Sequence, residues 1–422
     1  MSPNPREAAV DLLIAVLDDG RTLDEAMATS NPYDALTGRD RAFASAIARA
    51  TLRHLGRIDL ALATHMGKPL PESASRGRAI LRTGAAQLLF MGVAAHAAVS
   101  EAVALAHASS KSGGFAKLIN AVLRRVSEST PAEDAALDLP DWLRARWTAT
   151  YGARLVSAIA TAQGAEPPLD ITARRDASHW ATQLNAEVLP TGSLRLREAQ
   201  PVPSLPGYAE GAWWVQDSAA ALPARLFGNI AGKRVLDLCA APGGKALQLA
   251  AAGAHVTALD ISEPRLGRLR RALARTQLKA EIVCADALNW EAPQPFDAVL
   301  LDAPCSSTGT LRRHPEAAWL RTPAHVAGFA ETQAKLLAHA KNLVKAGGAL
   351  VYAVCSLEPE EGPALIAQAL DEGGWRRDHL RADDVGGVSE LITPDGDLRT
   401  LPCHMSAAGG LDGFFAARLI RI

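Results

Sequence analysis

The chain has 422 residues, 48% of them hydrophobic and 21% charged, and a formal net charge of -1. That length predicts two or three domains, and the ordinary composition excludes a disordered or fibrous chain. The near-zero total excludes a protein that is basic throughout, yet residues 41–130 hold 12 Lys/Arg against 4 Asp/Glu. Such a local excess attracts RNA, although a solvated charged face on helices explains it equally well.

In chain order, residues 1–130 read as all helical. Asn4-Pro5-Arg6-Glu7 has the form of an N-cap, a proline at the first helical position and an acid in the first turn. Apolar residues then recur at helical spacing from Ala9 to Leu17. Further helices are predicted over Arg41–Leu60, Ser75–Met91, Ala97–Ser109 and Phe115–Val126. The N-terminus lacks the basic segment and apolar core of a secretory signal. The longest uncharged run, Thr83–Ser100, contains Gln87, Gly92 and His96, which suits a buried helix pair better than a membrane span. Residues 131–215 are punctuated by Pro131, Pro140, Pro167, Pro168, Pro201, Pro203 and Pro206. Alternating segments at Leu169–Ala173 and Ser193–Arg197, with a short helix near Ser178–Leu184, predict a small α+β linker domain.

From residue 216 onward, strands alternate with helices: Arg234–Cys239, His255–Asp260, Glu281–Ala285, Ala298–Asp302 and Ala349–Cys355, with a last strand in Gly413–Ile422. This pattern predicts an α/β domain built on a parallel, doubly wound sheet. Its sharpest feature is the run from Val235 to Lys245, an apolar strand leading into Cys239, Ala240, Ala241, Pro242, Gly243, Gly244 and Lys245. Two glycines let a backbone approach a ligand, and helix-start amides bind a carboxylate. The glycine spacing fits neither the dinucleotide fingerprint nor a Walker loop. Asp260 ends the second strand, where a carboxylate suits ribose hydroxyls, and Asp286 follows the third, where it can accept from an adenine amine. Together they predict a nucleoside site.

Five cysteines, Cys239, Cys284, Cys305, Cys355 and Cys403, include no C-x-x-C pair. They point to free thiols, a reducing compartment (hence the cytoplasm) and no metal site. Cys305 and Cys355 each follow an apolar strand and begin a polar loop. Ligands sit beyond the carboxyl ends of such strands, and two thiols there suit methylation of cytosine carbon 5. A thiolate adding at carbon 6 makes carbon 5 nucleophilic, and an acid such as Asp302 favours the addition. Lys245, Arg312 and Arg313 are the cations available to lower a thiol's pKa. Arg312-Arg313-His314-Pro315-Glu316 also suits contact with RNA phosphate, with a merely solvated loop as the alternative. Position alone leaves open which cysteine attacks.

DLCAAPGGK, LLDAPCSSTGTLRRHPE, VYAVCSLEPEE and DGFFAARL resemble the motifs of the NOL1/NOP2/Sun RNA cytosine-C5 methyltransferases. RDRAFASAIARATLRHLGRIDLAL and FAKLINAVLRRV resemble the NusB-like helical domain of the bacterial Sun/Fmu (RsmB-type) members, which methylate 16S ribosomal RNA. The resemblance implies three domains: a NusB-like RNA-binding domain at 1–130, the linker at 131–215, and a Rossmann-like class I methyltransferase domain with a mostly parallel seven-stranded sheet at 216–422. It implies S-adenosylmethionine as cofactor, held by Cys239–Lys245, Asp260, Asp286 and Asp302. It makes Cys355 the nucleophile and Cys305 the residue that helps release product. Val354 stands where Thr is usual, Ser307 where Gly or Ala is usual, and the linker strand lacks an expected Asn. A monomer acting on RNA, without membrane or metal, is the expectation. Methylation of an exocyclic nitrogen and a catalytically silent RNA-binding assembly factor are the rival readings.

Overall fold

The computed structural model describes residues 3–197 and 201–422, and the chain divides into two units, 1–165 with 311–322, and 166–310 with 323–422. The first unit is helical. Its opening helix, Pro5–Leu17, is capped as its sequence suggests: Asn4 Oδ1 accepts from the amides of Arg6 at 2.9 Å and Glu7 at 3.4 Å. A short helix at Leu23–Thr29 was not expected; Thr22 and Glu25 close a reciprocal capping box around it.

The helix predicted over Arg41–Leu60 is two helices, Gly38–Arg53 and Leu55–His65. The cause lies far along the chain. Buried Asp138 accepts from the Arg57 amide at 3.0 Å and from its Nε at 2.8 Å, and lies 3.0 Å from His54 Nδ1. Gly56 passes so close that a Cβ there would fall 1.7 Å from the Leu137 carbonyl oxygen. The remaining expected helices form at Ser75–Leu89, Ala95–His107 and Ala116–Val126.

The three-part division at 130 and 215 does not follow these units. Asp141–Tyr151 and Ala153–Gly164 are helices of the first unit, joined at Gly152 with φ +78°. Leu143 and Trp147, one helical turn apart, are fully buried there. Pro140 precedes the first turn and punctuates a helix start rather than a linker. Residues 311–322 also belong to this unit: Trp319 Nε1 donates to the Leu52 carbonyl at 2.9 Å, and Trp319 and Leu320 pack on the helical core.

The second unit begins with a four-stranded antiparallel sheet, β1 (Asp170–Ala173), β2 (Ala186–Val188), β3 (Leu194–Leu196) and β4 (Trp213–Val215), in the order β2-β3-β1-β4. Buried Arg195 grips buried Asp170 with two hydrogen bonds of 2.7 Å, a bidentate pairing that offsets the cost of burying both charges.

The main sheet holds β5 (Arg234–Leu238), β6 (His255–Asp260), β7 (Glu281–Cys284), β8 (Phe296–Asp302), β9 (Val344–Val354), β10 (Trp375–Arg377), β11 (Leu398–Thr400) and β12 (Phe414–Arg421). Seven strands follow one path, β10-β12-β9-β8-β5-β6-β7, and β11 adds an eighth by pairing with β12. β5 to β9 pair in parallel, while β12 runs antiparallel to β9, β10 and β11. These central strands read as apolar runs because helices cover both faces of such sheets. The strand order reverses at β5, whose neighbours are β6 and β8. Open α/β sheets bind ligands beyond the carboxyl ends of the strands at such a point.

Candidate active site

The loop after β5 is shaped by backbone conformation. Cys239 has φ +63° and Gly243 φ +117°. A Cβ on Gly243 would lie 2.3 Å from Leu269 Cδ1, so only glycine permits this turn. Gly244 then opens the helix Gly244–Ala251. The loop is tied to β6: the Ala240 amide donates to the Leu259 carbonyl at 2.9 Å and the Ala241 amide to Asp260 Oδ2 at 3.1 Å. Asp260, 2% exposed, also accepts from the Ser262 amide at 2.9 Å and faces Arg265 at 3.5 Å. Much of its hydrogen-bonding capacity therefore holds the loop. Asp286 lies past β7, where it accepts from the Leu288 amide and Asn289 Nδ2, both at 2.9 Å. Burial, with the Asp260, Asp302 and Asp237 carboxylates, pushes the Cys239 thiol up to about 12, which leaves it inert.

Asp302 and Cys305 leave the end of β8; Cys355 leaves the end of β9. These strands pair in register, Leu301 against Tyr352 and Asp302 against Ala353, so their following loops start side by side. The result is a Cys305 Sγ to Cys355 Sγ distance of 3.4 Å. The Cys355 thiol is held below the usual range, foremost by the hydrogen bond from Cys305, against burial and the Asp302 charge, with help from the Ser307 hydroxyl and the Lys245 ammonium. The Cys305 thiol is driven up by that same bond and by burial. Lys245 Nζ donates to Asp302 Oδ2 at 2.7 Å. Burial alone would lower its pKa, but the Asp302 carboxylate keeps it raised and the lysine charged.

Three contributors escaped the sequence reading. Ser307 holds φ +62° and places its hydroxyl 3.6 Å from Cys355 Sγ; its departure from the usual Gly or Ala is the signal that was visible. Gly413 of the DGFF motif donates from its amide to the Gly309 carbonyl at 2.7 Å, while the Gly309 amide donates to the Cys355 carbonyl at 3.0 Å. A Cβ on Gly309 would sit 2.0 Å from the Gly413 oxygen, so the C-terminal motif supports the loop between the thiols. Asp237, 0% exposed on β5, has no hydrogen-bond partner for either carboxyl oxygen, and its pKa is driven well above normal by burial and by Asp302.

The cations assigned to the thiol need correcting. Lys245 acts on Cys355, whereas Arg312 is not among the groups acting on that thiol, and its carbonyl accepts from Arg53 Nη2 at 2.9 Å. Arg313 is half-buried and its carbonyl accepts from Arg49 Nη1 at 2.8 Å. Among the described residues, no cluster of three or more His, Cys, Asp or Glu is arranged to hold a metal, and no helix is long and apolar enough to cross a membrane.

A strand-to-helix loop at the reversal point, a tight glycine turn, acids at the end of β6 and past β7, and a pair of thiols define an S-adenosylmethionine-dependent methyltransferase. Residues 228–420 match the model of the 16S rRNA methyltransferase RsmB/F family, and residues 3–128 match the NusB family. The chain is 36% identical to the ribosomal RNA small subunit methyltransferase B of Pseudomonas putida, covering 99% of each protein, and 35% identical to that of Xanthomonas campestris, covering 99% of this chain and 97% of the other. Among solved structures, PH0851 superposes over 100% of both chains with a TM-score of 0.77 at 22% identity. NSun6 from Pyrococcus horikoshii, solved with SFG, superposes over 67% of this chain and 98% of its own with a TM-score of 0.57 at 17% identity; both neighbours share the fold. The chain belongs to the RsmB/F methyltransferase family.

The residues present fit the cofactor. The amides opening Gly244–Ala251 suit its carboxylate, and Asp237 on β5, buried with both carboxyl oxygens unpaired, is a polar group left for it to satisfy.

Proposed function

We propose that the protein methylates carbon 5 of a cytosine in 16S ribosomal RNA, with Cys355 as the covalent nucleophile. The observation that carries this reading is the thiol pair 3.4 Å apart with opposed pKa shifts, Cys355 down and Cys305 up. Groups whose surroundings push their pKa values apart divide into acid and base roles. The Cys355 thiolate adds to carbon 6, forming a carbon–sulfur bond and turning the ring into an enamine. Asp302 is the acid for ring N3 and the exocyclic amine: sharing a proton with N3, onto which the electron pair moves, favours that addition. S-adenosylmethionine, when bound, supplies the electrophilic methyl group that carbon 5 takes. Cys305 then removes the carbon 5 proton, the electron pair re-forms the ring double bond, and Cys355 leaves as thiolate. Cys239–Lys245, Asp260, Asp286 and Asp302 hold the cofactor.

Incubation with unmodified small-subunit rRNA and S-adenosylmethionine, followed by bisulfite sequencing, tests this directly. One newly protected cytosine is the expected result. Methylation recovered only on a nitrogen, by mass spectrometry of the nucleosides, would overturn it.

The helical domain is the RNA-binding part of this reading, acting as a monomer in the cytoplasm. Arg124 and Arg125 are both exposed on Ala116–Val126, and Arg124 lines an open groove with His96, His107 and Lys117. Neutralising both arginines is expected to weaken RNA binding and reduce the slope of log affinity against log salt by about one to two. An unchanged slope would return them to a merely solvated face.

A further inference from the structure

We infer that Glu361 is a positioning residue that sets the spacing of the two thiols, binding the residue after Cys305 and the residue after Cys355 to a single buried carboxylate. The inference rests on Cys355 being the nucleophile.

Glu361 is 0% exposed. Its Oε1 accepts from the Ser306 amide at 2.8 Å and from Gln333 Nε2 at 3.0 Å. Its Oε2 accepts from the hydroxyls of Ser306 and Ser356. Ser306 and Ser356 directly follow the two cysteines. Gln333 also donates to the carbonyl of Pro304, just before Cys305, at 2.8 Å. One carboxylate thus reaches both loops within a residue of each sulfur.

The need for such a tie follows from the sheet. Register between β8 and β9 ends at Asp302 and Ala353. Beyond it, the backbones of these loops are joined by the Ala303 amide to the Ala353 carbonyl at 2.9 Å and the Gly309 amide to the Cys355 carbonyl at 3.0 Å. Neither bond fixes Ser306 or Ser356. Their hydroxyls meet at 3.1 Å, the Leu357 amide donates to Thr308 Oγ1 at 3.1 Å, and Arg399 Nη1 donates to the Ser356 carbonyl at 2.7 Å. Glu361 is the group that gathers both serine hydroxyls and the Ser306 amide on one side chain. A carboxylate has about four acceptor sites, and all four are used here, which neither an amide nor a hydroxyl can match. Its donors are all neutral, so the arrangement keeps an acid buried without a cation. Such a group is costly as a plain anchor, since apolar packing would fill the same space. It makes sense where the geometry of two loops matters. Glu361 is itself held by its carbonyl, which accepts from the Tyr352 hydroxyl at 2.6 Å.

The test uses the full chain with Glu361→Gln and Glu361→Ala. Iodoacetamide alkylation of each cysteine is followed by mass spectrometry across pH, and turnover is measured on rRNA. Lys245 and Asp302, the charged groups acting on Cys355, stay in place in every variant. Once the sulfurs part, the midpoint of Cys355 alkylation is expected to rise by about one pH unit, about tenfold less thiolate at a given lower pH. Turnover kcat is expected to fall about 100-fold, as for a displacement of roughly 1 Å, with KM and S-adenosylmethionine affinity nearly unchanged. If both variants fail to fold, Ser356→Ala cuts one arm and shifts the midpoint the same way by less. A folded variant that keeps its alkylation midpoint and its kcat overturns the inference. A shifted midpoint with unchanged kcat upholds the spacing role and overturns Cys355 as nucleophile, because alkylation reads the thiols without RNA.

Discussion

Cys355→Ala is expected to abolish rRNA methylation, a loss of about 10⁴-fold or more, while S-adenosylmethionine binds almost as before. The size follows from the removal of a covalent nucleophile, for which nothing else at the end of β9 substitutes. Cofactor affinity is spared because the loop from Cys239 to Lys245 is held by other groups, its backbone by Leu259 and Asp260 of β6 and Lys245 by Asp302 at 2.7 Å. Calorimetry with the cofactor alone and a methylation assay on rRNA measure the two halves. The pH dependence of the native protein carries the same signature. Cys355 is lowered, foremost by the Cys305 hydrogen bond, so the rising limb of kcat/KM should lie below that of an ordinary thiol near 8.5. Substantial activity in the alanine variant would move the nucleophile to Cys305 or end the covalent scheme.

Cys305→Ala is expected to trap the reaction halfway. Addition at carbon 6 needs only Cys355, but release needs a base for the carbon 5 proton. The thiol pair suggests how one group serves both stages. In the resting site the Cys305 thiol is hard to ionise, its pKa raised first of all by its hydrogen bond with Cys355. When Cys355 becomes a neutral thioether that cause disappears, and Cys305 becomes easier to ionise as its proton-accepting role arrives. Without it, turnover should fall about 10²–10⁴-fold, the range of a lost acid–base group, and a protein–RNA adduct should survive denaturing electrophoresis. The variant also lacks the bond that lowers Cys355, so adduct formation should require higher pH than in the native protein. No adduct at any pH would remove Cys305 from the release step.

The sequence made the outline of this site readable because its chemistry is local. The glycines after β5 and the thiols after β8 and β9 sit in short motifs, and the order of the strands places them at one edge of the sheet. What stayed hidden depends on contacts between distant residues. His54 reads as mid-helix until Asp138 interrupts it from 84 residues away. Trp147 and Leu143 look like part of a linker until their shared helical face is buried in the first unit. Arg312 reads as a cation for the thiol, yet it is not among the groups acting on Cys355, and its carbonyl accepts from Arg53. Glu361 looks like one more acid in EPEE, and only the meeting of Ser306 with Ser356 gives it a task. β11, three residues long, carries too little pattern to be read at all.

The membership of residues 311–322 in the helical unit bears on the order in which the protein is made. Translation delivers residues 1–165 first, but the stretch whose Trp319 indole bonds to Leu52 arrives only after residues 166–310 have been synthesised. At about 5–20 residues per second, the helical unit must wait on the order of ten seconds or more for its last piece. During that interval Leu52 and the apolar wall that receives Trp319 and Leu320 have no native cover. A nascent chain stalled before residue 311 therefore exposes a seat that chaperones can recognise, and the helical unit completes itself only once the chain carrying Cys305 has been laid down.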